Sequence, residues 1–405
     1  MAQGAAAAPA AAPTAGGGGA GNPFQLATNL YAEKNNQGVS GASLIGAGQF
    51  ANGGNVNAGQ YLRALRLIVR TTAAGSTFAP LVGATGDFPW NVLTGVDLIN
   101  VDGSEILYTM GGFAHYLGQK YGRPWLGDPA TAYDAFQTTA VSPQFTLTLQ
   151  PEIRWSAGCL ANTDTRSQYR FDYAIDTAAN IAQGGTATGP PTVNVQPYMD
   201  AWAQPDATDL QGTPNQPVPP GLNLQVKRRH QIFQLNASGS DNILQSALTG
   251  NALRLQILVS RLTTNQVRVD AFSDPFLWQI DNRSLGKYST QTDVGVTTLT
   301  GGDMLAQRMA DFYNTFFYTQ AVESTAGPLV PTAYSPPRRE IGVYAFPRFI
   351  KPGDLYGEGW LYTANSTKEI FESTSTAAVS GAATAELISD EVYPVGPVDA
   401  ALTDI

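Results

Sequence analysis

The pattern that most restricts this chain is a ten-residue alternation, Tyr61 to Arg70, whose central tetrapeptide returns unchanged 188 residues later. Ala64-Leu65-Arg66-Leu67 is spelled again as Ala252-Leu253-Arg254-Leu255. Read with a period of two, Leu65, Leu67 and Val69 share one face and Arg66 and Arg70 the other. In the later copy Leu253, Leu255, Ile257 and Val259 stand opposite Arg254 and Gln256. Each copy therefore predicts a strand with one face in a core.

The residues downstream of each copy repeat as well. Asp87-Phe88-Pro89-Trp90 comes after the first strand, and Asp274-Pro275-Phe276-Leu277-Trp278 comes 187 residues later, after the second. Thr109 and Asp303, 194 residues apart, each precede a segment with helical spacing: Met110/Phe113/Ala114/Leu117/Tyr121 and Leu305/Met309/Phe312/Phe316. Three elements in one order at nearly one spacing predict two copies of a domain, with a period far longer than that of a solenoid. On this reading Leu65 and Leu253 hold equivalent core positions, and Trp90 and Trp278 pack at equivalent corners.

Length permits the duplication, since 405 residues suffice for two domains each with its own core. Only 14% of residues are charged, while 42 Gly and 26 Pro accompany many β-formers, which is the composition of short strands joined by turns. The net charge of −9 argues against a nucleic-acid surface, which needs clustered Lys and Arg. One local exception, Lys227-Arg228-Arg229-His230, reads either as a patch for phosphate or anionic lipid or as loop or interface charge. A single cysteine, Cys159, excludes an internal disulfide framework and reads as a small buried hydrophobe. No run of 18 apolar residues occurs.

Along the chain, residues 1–21 are uncharged Ala/Gly/Pro low complexity and predict a flexible arm. They lack the basic start of a signal peptide, so the chain reads as non-secreted. Residues 22–204 form the first predicted domain, with regular structure beginning near Gln60 after a Gly- and Asn-rich lead-in. Within it, Asp102-Gly103 between Val96–Val101 and Glu105–Tyr108 predicts a hairpin with both turn residues at positive φ. A helix over Met110–Tyr121 ends at Gly122 before Pro124, and strands are expected over 145–149, 169–175 and 193–202. Residues 205–221, with five prolines, read as a linker. The second domain, 222–405, offers strands at 222–235, 253–261, 267–272, 341–346, 360–362 and 385–392, and a helix over 304–318.

Chemistry is sparse. His115 and His230 have no Cys, Asp or Glu at metal-ligand spacing, and one Cys with two His cannot build the usual zinc sets. Phosphate-cradling and nucleophile motifs are missing. No catalytic, cofactor or metal residue is therefore assigned. Asp97, Glu105, Asp270 and Asp274 could supply a carboxylate pair of the glycosidase kind, although turn and edge roles fit them better. Trp125, Trp155 and Trp360 are the aromatics a sugar would stack on, and a carbohydrate-binding or carbohydrate-active β-sandwich is the competing reading.

Several stretches carry a resemblance. Val56-Asn57-Ala58-Gly59 leads into the strand at Leu62–Arg70. Pro89-Trp90-Asn91-Val92-Leu93 precedes the hairpin at Asp102-Gly103, and Gly112–Tyr121 comes after it. Late in the chain Arg338-Arg339 precedes Gly342-Val343-Tyr344. With these, the chain resembles the double jelly-roll major capsid proteins of tectivirus-like phages, tailless and with an internal membrane. The resemblance implies an all-β fold of two tandem eight-stranded jelly rolls, each with a helix in an equivalent loop. It further implies a pseudo-hexameric homotrimer tiling an icosahedral virion, made in the host cytoplasm. Its partners would be neighbouring trimers, minor capsid or penton proteins and the internal viral membrane, with no specific nucleic acid. The uncharged arm departs from the amphipathic or basic N-terminal element of that family.

Overall fold

The computed structural model describes residues 30–34, 42–44, 50–58, 60–72, 78–79, 86–103, 105–122, 144–152, 158–162, 164–187, 192–203, 206, 208–214, 224–250, 252–273, 276–281, 283–289, 303–304, 341–347 and 360–394. Its frame in the first half is β1 (Leu30–Lys34), β2 (Phe50–Asn55), β3 (Gln60–Thr72), β4 (Leu93–Ile99), β5 (Glu105–Met110), β6 (Gln144–Leu149), β7 (Arg170–Ile175) and β8 (Thr192–Ala203). The second half supplies β9 (Leu224–Leu235), β10 (Asp241–Ala247), β11 (Ala252–Leu262), β12 (Phe276–Ile280), β13 (Arg283–Ser289), β14 (Val343–Pro347), β15 (Lys368–Thr374) and β16 (Ala383–Pro394).

These strands pair in the orders β1-β8-β3-β6 and β2-β7-β4-β5, then β9-β16-β11-β14 and β10-β15-β12-β13. Each strand of the first half thus has its counterpart eight strands later. All these pairings are antiparallel. Two four-stranded sheets with long crossovers make a jelly roll, and the chain holds two. Even the short strands Leu160–Asn162 beside β3 and Leu361–Tyr362 beside β11 take matching places.

Strand β3 obeys its sequence pattern: Leu65, Leu67 and Val69 are fully buried, and Arg66 and Arg70 are exposed. Its counterpart β11 does not alternate, because every residue from Ala252 to Ser260 is buried. A strand covered on both faces reads as a nearly continuous apolar run, and the cover on the second face is a helix of the other half. That helix, α1 (Gly112–Gly122), has every residue buried and packs on β4 and β6 of its own jelly roll and on β11 and β14 of the other. Trp90, in a 3-10 turn ahead of β4, stacks on Tyr116 of α1 at 3.9 Å between ring centroids. A second short helix, α2 (Ala178–Ala182), starts at Thr177, whose hydroxyl accepts from Asn180 N. The halves are also joined through the backbone, since β5 pairs in parallel with β9 at Leu107 and Arg228, making one continuous sheet across them.

The ladder revises the sequence register. A bulge at Arg63 in β3 sets Leu62 opposite Ala201 and Ala64 opposite Asp200; a bulge at Arg254 in β11 sets Leu253 opposite Glu391 and Leu255 opposite Asp390. The two strands do correspond, but Leu253 matches Leu62, not Leu65, and the repeated tetrapeptide is displaced by three residues. Trp278 lies inside β12 and packs on Phe371, whereas Trp90 precedes β4, so these tryptophans are not equivalent.

Other departures have local causes. Among the described residues regular structure starts at Leu30, not near Gln60: β1 and the Gly- and Asn-rich β2 are edge strands whose ladders need no apolar alternation. Met110 closes β5 and is not helical. Only Gly103 of the hairpin turn has positive φ, and Gly103 N donates to Asn100 O, so Asp102 keeps an ordinary conformation. Residues 267–272 form isolated bridges at Arg268 and Phe272, not a strand. Met304 lies in a two-residue strand with Asp303, and the rest of the expected second helix, 305–318, lies outside the described residues, as does the arm.

Candidate functional site

The charged groups that matter are buried along the seam between the halves. The basic run is a stretch of β9 and faces the acids of β16. Arg228 grips Asp390 with two bonds, Nε to Oδ1 at 2.5 Å and Nη2 to Oδ2 at 2.9 Å, and Arg254 Nη2 adds a third at 2.8 Å. Arg229 Nη1 reaches Glu391 Oε1 at 3.2 Å, and His230 Nδ1 lies 3.5 Å from Glu386 Oε1. Arg228 is thus buried charge at the seam, while Arg229 and His230, each partly exposed, pair with acids of the neighbouring strand. Asp390 is wholly buried. Burial acts to raise its carboxyl, but the Arg228 and Arg254 guanidiniums outweigh that and hold it at about 2.

Helix α1 closes this cluster from the first jelly roll. A Cβ on Gly118 would stand 2.6 Å from Arg228 Cζ, so glycine is what lets the helix lie over the guanidinium. At Gly122 the approach is looser, a Cβ there standing 3.4 Å from Leu255 Cδ2 and 3.7 Å from Asp390 Oδ2. His115, two turns before Gly122, is buried with Nε2 3.0 Å from Val96 O. Desolvation first, and then the Arg228 charge, push it down to about 3. It is a neutral imidazole whose Nε2–H donates to that carbonyl.

A second cluster closes the other end of α1. Buried Asp87 accepts from Arg268 Nε at 2.6 Å and from Arg261 Nη1, both of the second jelly roll. Gln183, held just past α2 in the left-handed region at φ 47°, donates Nε2 to Asp87 Oδ2 at 3.1 Å and to Gln266 O at 2.8 Å. Arg261 and Arg268 also lie over the Phe113 ring of α1, at 5.2 and 5.0 Å. The Asp-Phe-Pro-Trp motif thus does two jobs: Trp90 packs on its own helix and Asp87 fastens the other half.

Within the first jelly roll, Glu152 accepts from Arg63 Nε at 2.8 Å and Trp202 Nε1 at 2.8 Å, with the Arg63 guanidinium 4.0 Å over the Trp202 ring. Cys159 packs there with Tyr61 and Trp202. Burial and then Glu152 push its thiol up to about 12, which leaves it unreactive.

The carboxylates singled out by sequence are dispersed. Buried Asp97 lies opposite Asp172, which pairs with Arg170, while Asp270 accepts from Gly342 N at 2.8 Å. Asp274 and the Glu105 side chain lie outside the described residues. Trp125 and Trp155 do too, and Trp360 is half-buried beside Val226, Ala252 and Val392. Among the described residues no group of three or more His, Cys, Asp or Glu is placed to hold a metal ion. No described helix is long and apolar enough to cross a membrane. Sequence reasoning missed both clusters, Asp390 with Arg254 and Asp87 with Arg261 and Arg268.

Comparison with known proteins locates this arrangement. No protein-family profile and no curated protein matches the sequence. Solved structures do match. A chain from the atomic structure of Sulfolobus Turreted Icosahedral Virus aligns over 92% of this chain and 92% of its own length, at 11% identity and a TM-score of 0.55. The crystal structure of the STIV MCP aligns over 89% and 96% at 13% identity and 0.52. PBCV-1 VP54 aligns over 90% and 94% at 11% identity and 0.50. At such identities the likeness is one of fold, and it spans nearly the whole of each chain. The chain is a double jelly roll, the fold of the viral major capsid proteins it matches.

Proposed function

We propose that this chain is a major capsid protein that assembles as homotrimers with a pseudo-hexagonal outline into an icosahedral virion shell. The observation that carries the reading is the seam: one chain sets two jelly rolls side by side, with α1 of the first packed over the Arg228–Asp390–Arg254 cluster of the second and Asp87 of the first held by Arg261 and Arg268 of the second. A tile must hold its shape, and burying charge at this seam favours one geometry over sliding alternatives. The matched structures belong to viruses, and their alignment over both jelly rolls supports the same use here. The reading takes 22–204 and 222–405 as the two domains and 205–221 as their linker. It carries no turnover, metal or cofactor. A membrane beneath the shell, penton or minor proteins at its vertices and a tectivirus-like host virus are its finer parts.

Purified chain should sediment at three times 42.9 kDa and show hexagonal outlines in negative stain. A monomer at all concentrations, or one that hydrolyses or binds glycans, would overturn the reading. Removing residues 2–21, which carry no apolar side chain larger than alanine apart from two prolines, should leave the melting temperature and trimer unchanged and lower the yield of closed shells. Loss of the folded trimer in that deletion would place the arm in the fold.

A further inference from the structure

We infer that the Arg228–Asp390–Arg254 cluster under α1 is a binding site for one small inorganic anion, of chloride's size, held by guanidinium N–H groups that the chain itself leaves unbonded. The inference concerns the seam alone and does not depend on what the chain assembles into.

Charge is the first reason. Two guanidiniums share the one carboxylate of Asp390, so the cluster carries a surplus of one positive charge. The side chains of Arg228 and Arg254 are only 7% and 6% exposed, and that of Asp390 is wholly buried, so water does little to screen the surplus. The neighbouring acids do not offset it. Glu391, on the opposite face of β16 by alternation, already accepts from Arg229 Nη1, from Thr249 N and Oγ1, and from Gly250 N. Glu386 lies beside His230, four residues from Asp390 and about 13 Å away at the rise of a strand.

Hydrogen bonding is the second reason. A guanidinium offers five N–H groups; Arg228 uses Nε and Nη2 on Asp390, and Arg254 uses Nη2. Arg254 Nε is shielded from solvent and makes no hydrogen bond. An unmet donor on a buried cation is destabilising. His115 offers a lone pair at Nδ1, likewise shielded and unbonded, but no charge. A water molecule would bring two further O–H donors to a place short of acceptors, whereas an anion accepts from several N–H groups at once and cancels the surplus. The backbone of α1 at Gly118 lies directly on the Arg228 guanidinium, so a monatomic ion suits the site better than a tetrahedral oxyanion.

The other seam cluster shows the same charge ratio with its donors met. Two arginines share Asp87, but Arg268 also directs Nη1 to Ile341 O at 2.6 Å and Nη2 to Gly86 O at 3.3 Å, and Arg261 Nη1 reaches Gln266 O at 3.2 Å. Backbone carbonyls take those N–H groups. Among the described residues no carbonyl does so for Arg228 or Arg254, whose bonds all go to Asp390.

The test is chloride linkage in the full chain. Urea unfolding would be followed at constant ionic strength while sodium chloride replaces sodium gluconate, whose anion is much larger. One bound anion makes the folding constant rise tenfold for each tenfold rise in chloride above the dissociation constant. Arg254→Gln should abolish that dependence, and Arg63→Gln, at the matching bulge of β3, should keep it. No dependence in the unaltered chain, or the same dependence in Arg254→Gln, would overturn the site. Should Arg254→Gln fail to fold, crystals of the unaltered chain grown in bromide decide the matter. Anomalous scattering from bromide within hydrogen-bonding reach of Arg228 and Arg254 supports the assignment, and its absence there overturns it.

Discussion

Strands β3 and β11 have the same neighbours, the same bulge and the same place in their jelly rolls, yet one is open on its outer face and the other is covered. The difference is written in four residue pairs. Ala64 is buried like its counterpart Leu255 but is much smaller, exposed Arg66 and half-buried Ile68 in β3 stand where Ile257 and Val259 in β11 are wholly buried, and only the fourth pair, Arg70 and Arg261, keeps its chemistry. The bulge arginines diverge in the same sense. Arg63 binds Glu152 with its side chain 20% exposed, while Arg254 joins Arg228 on Asp390 with its side chain 6% exposed. One topology therefore supports a part-buried ion pair or a fully buried ion cluster according to what packs on it. Two copies of a fold can diverge in their surfaces while their ladders stay in step.

The comparison predicts its largest effect at Asp390. Replacing it with alanine strands two buried guanidiniums and should cost about 3–5 kcal/mol, read as a fall in the urea midpoint. A loss below about 1 kcal/mol would mean that the seam is wet and the cluster screened. Acid should act on the same groups. Asp390 is held at about 2 against an ordinary 3.8, so its contribution is present above pH 3.8 and is lost as pH falls toward 2. His115 is neutral in the fold down to about 3 but takes a proton below about 6.5 once unfolded, so its burial makes stability fall as pH drops from 6.5 toward 3. His115→Gln, which can still donate to Val96 O, should flatten that upper limb and leave the lower one. An unchanged profile between pH 6.5 and 4 would show that His115 is not the group responsible.

Next in size are losses of packing. Leu65→Ala and Leu253→Ala each remove a wholly buried side chain and should cost about 2–5 kcal/mol in thermal or urea unfolding. Because both are core positions on their own ladders, the two values should be similar even though the residues are not equivalent. Gly118→Ala should cost about 1–3 kcal/mol, since its methyl group meets an Arg228 that cannot swing away without leaving Asp390. Combined with Asp390→Ala, the glycine substitution should cost much less, because the guanidinium is then free to move. Strict additivity in that cycle would show that the close approach is not set by the ion pair.

How much of this was legible in the sequence depends on which face each residue serves. The alternation of Leu65, Leu67 and Val69 gave a strand because one of its faces meets water. In β11, Leu253 to Val259 also gave a strand, but its second buried face was invisible, since a period of two assigns one face to solvent by default. The tetrapeptide match then misplaced the register by three residues: a bulge shifts parity without leaving a mark in composition. The β1 and β2 edge strands were missed because neither Leu30–Lys34 nor Phe50–Asn55 shows the apolar alternation that marks a strand. At the seam, the run from Lys227 to His230 stood out as charge, but its partners at Glu386, Asp390 and Glu391 lie roughly 160 residues away and are brought opposite by the ladder alone.

The smallest expected effect is at Asp200, and it tests the comparison most sharply. Asp200 is the ladder counterpart of Asp390, and it too binds an arginine, Arg66 Nη2 to Oδ2 at 2.5 Å. The arginine here is more than half exposed, so solvent screens the pair and rehydrates Arg66 once its partner is removed. Asp200→Ala in the dilute, monomeric chain should therefore cost less than about 1 kcal/mol, several-fold below the loss at Asp390. Should assembly cover this face, Arg66 could no longer find water freely once Asp200 is removed. Its cost should then appear as weaker assembly, with the trimer dissociating at a several-fold higher protein concentration while the unfolding midpoint of the monomer stays in place. If Asp200→Ala destabilises the monomer as much as Asp390→Ala does, the two outer faces are equally buried and the contrast between them is wrong. If it alters neither the monomer nor the trimer, the contrast between the halves holds and Asp200 plays no part in what covers the open face.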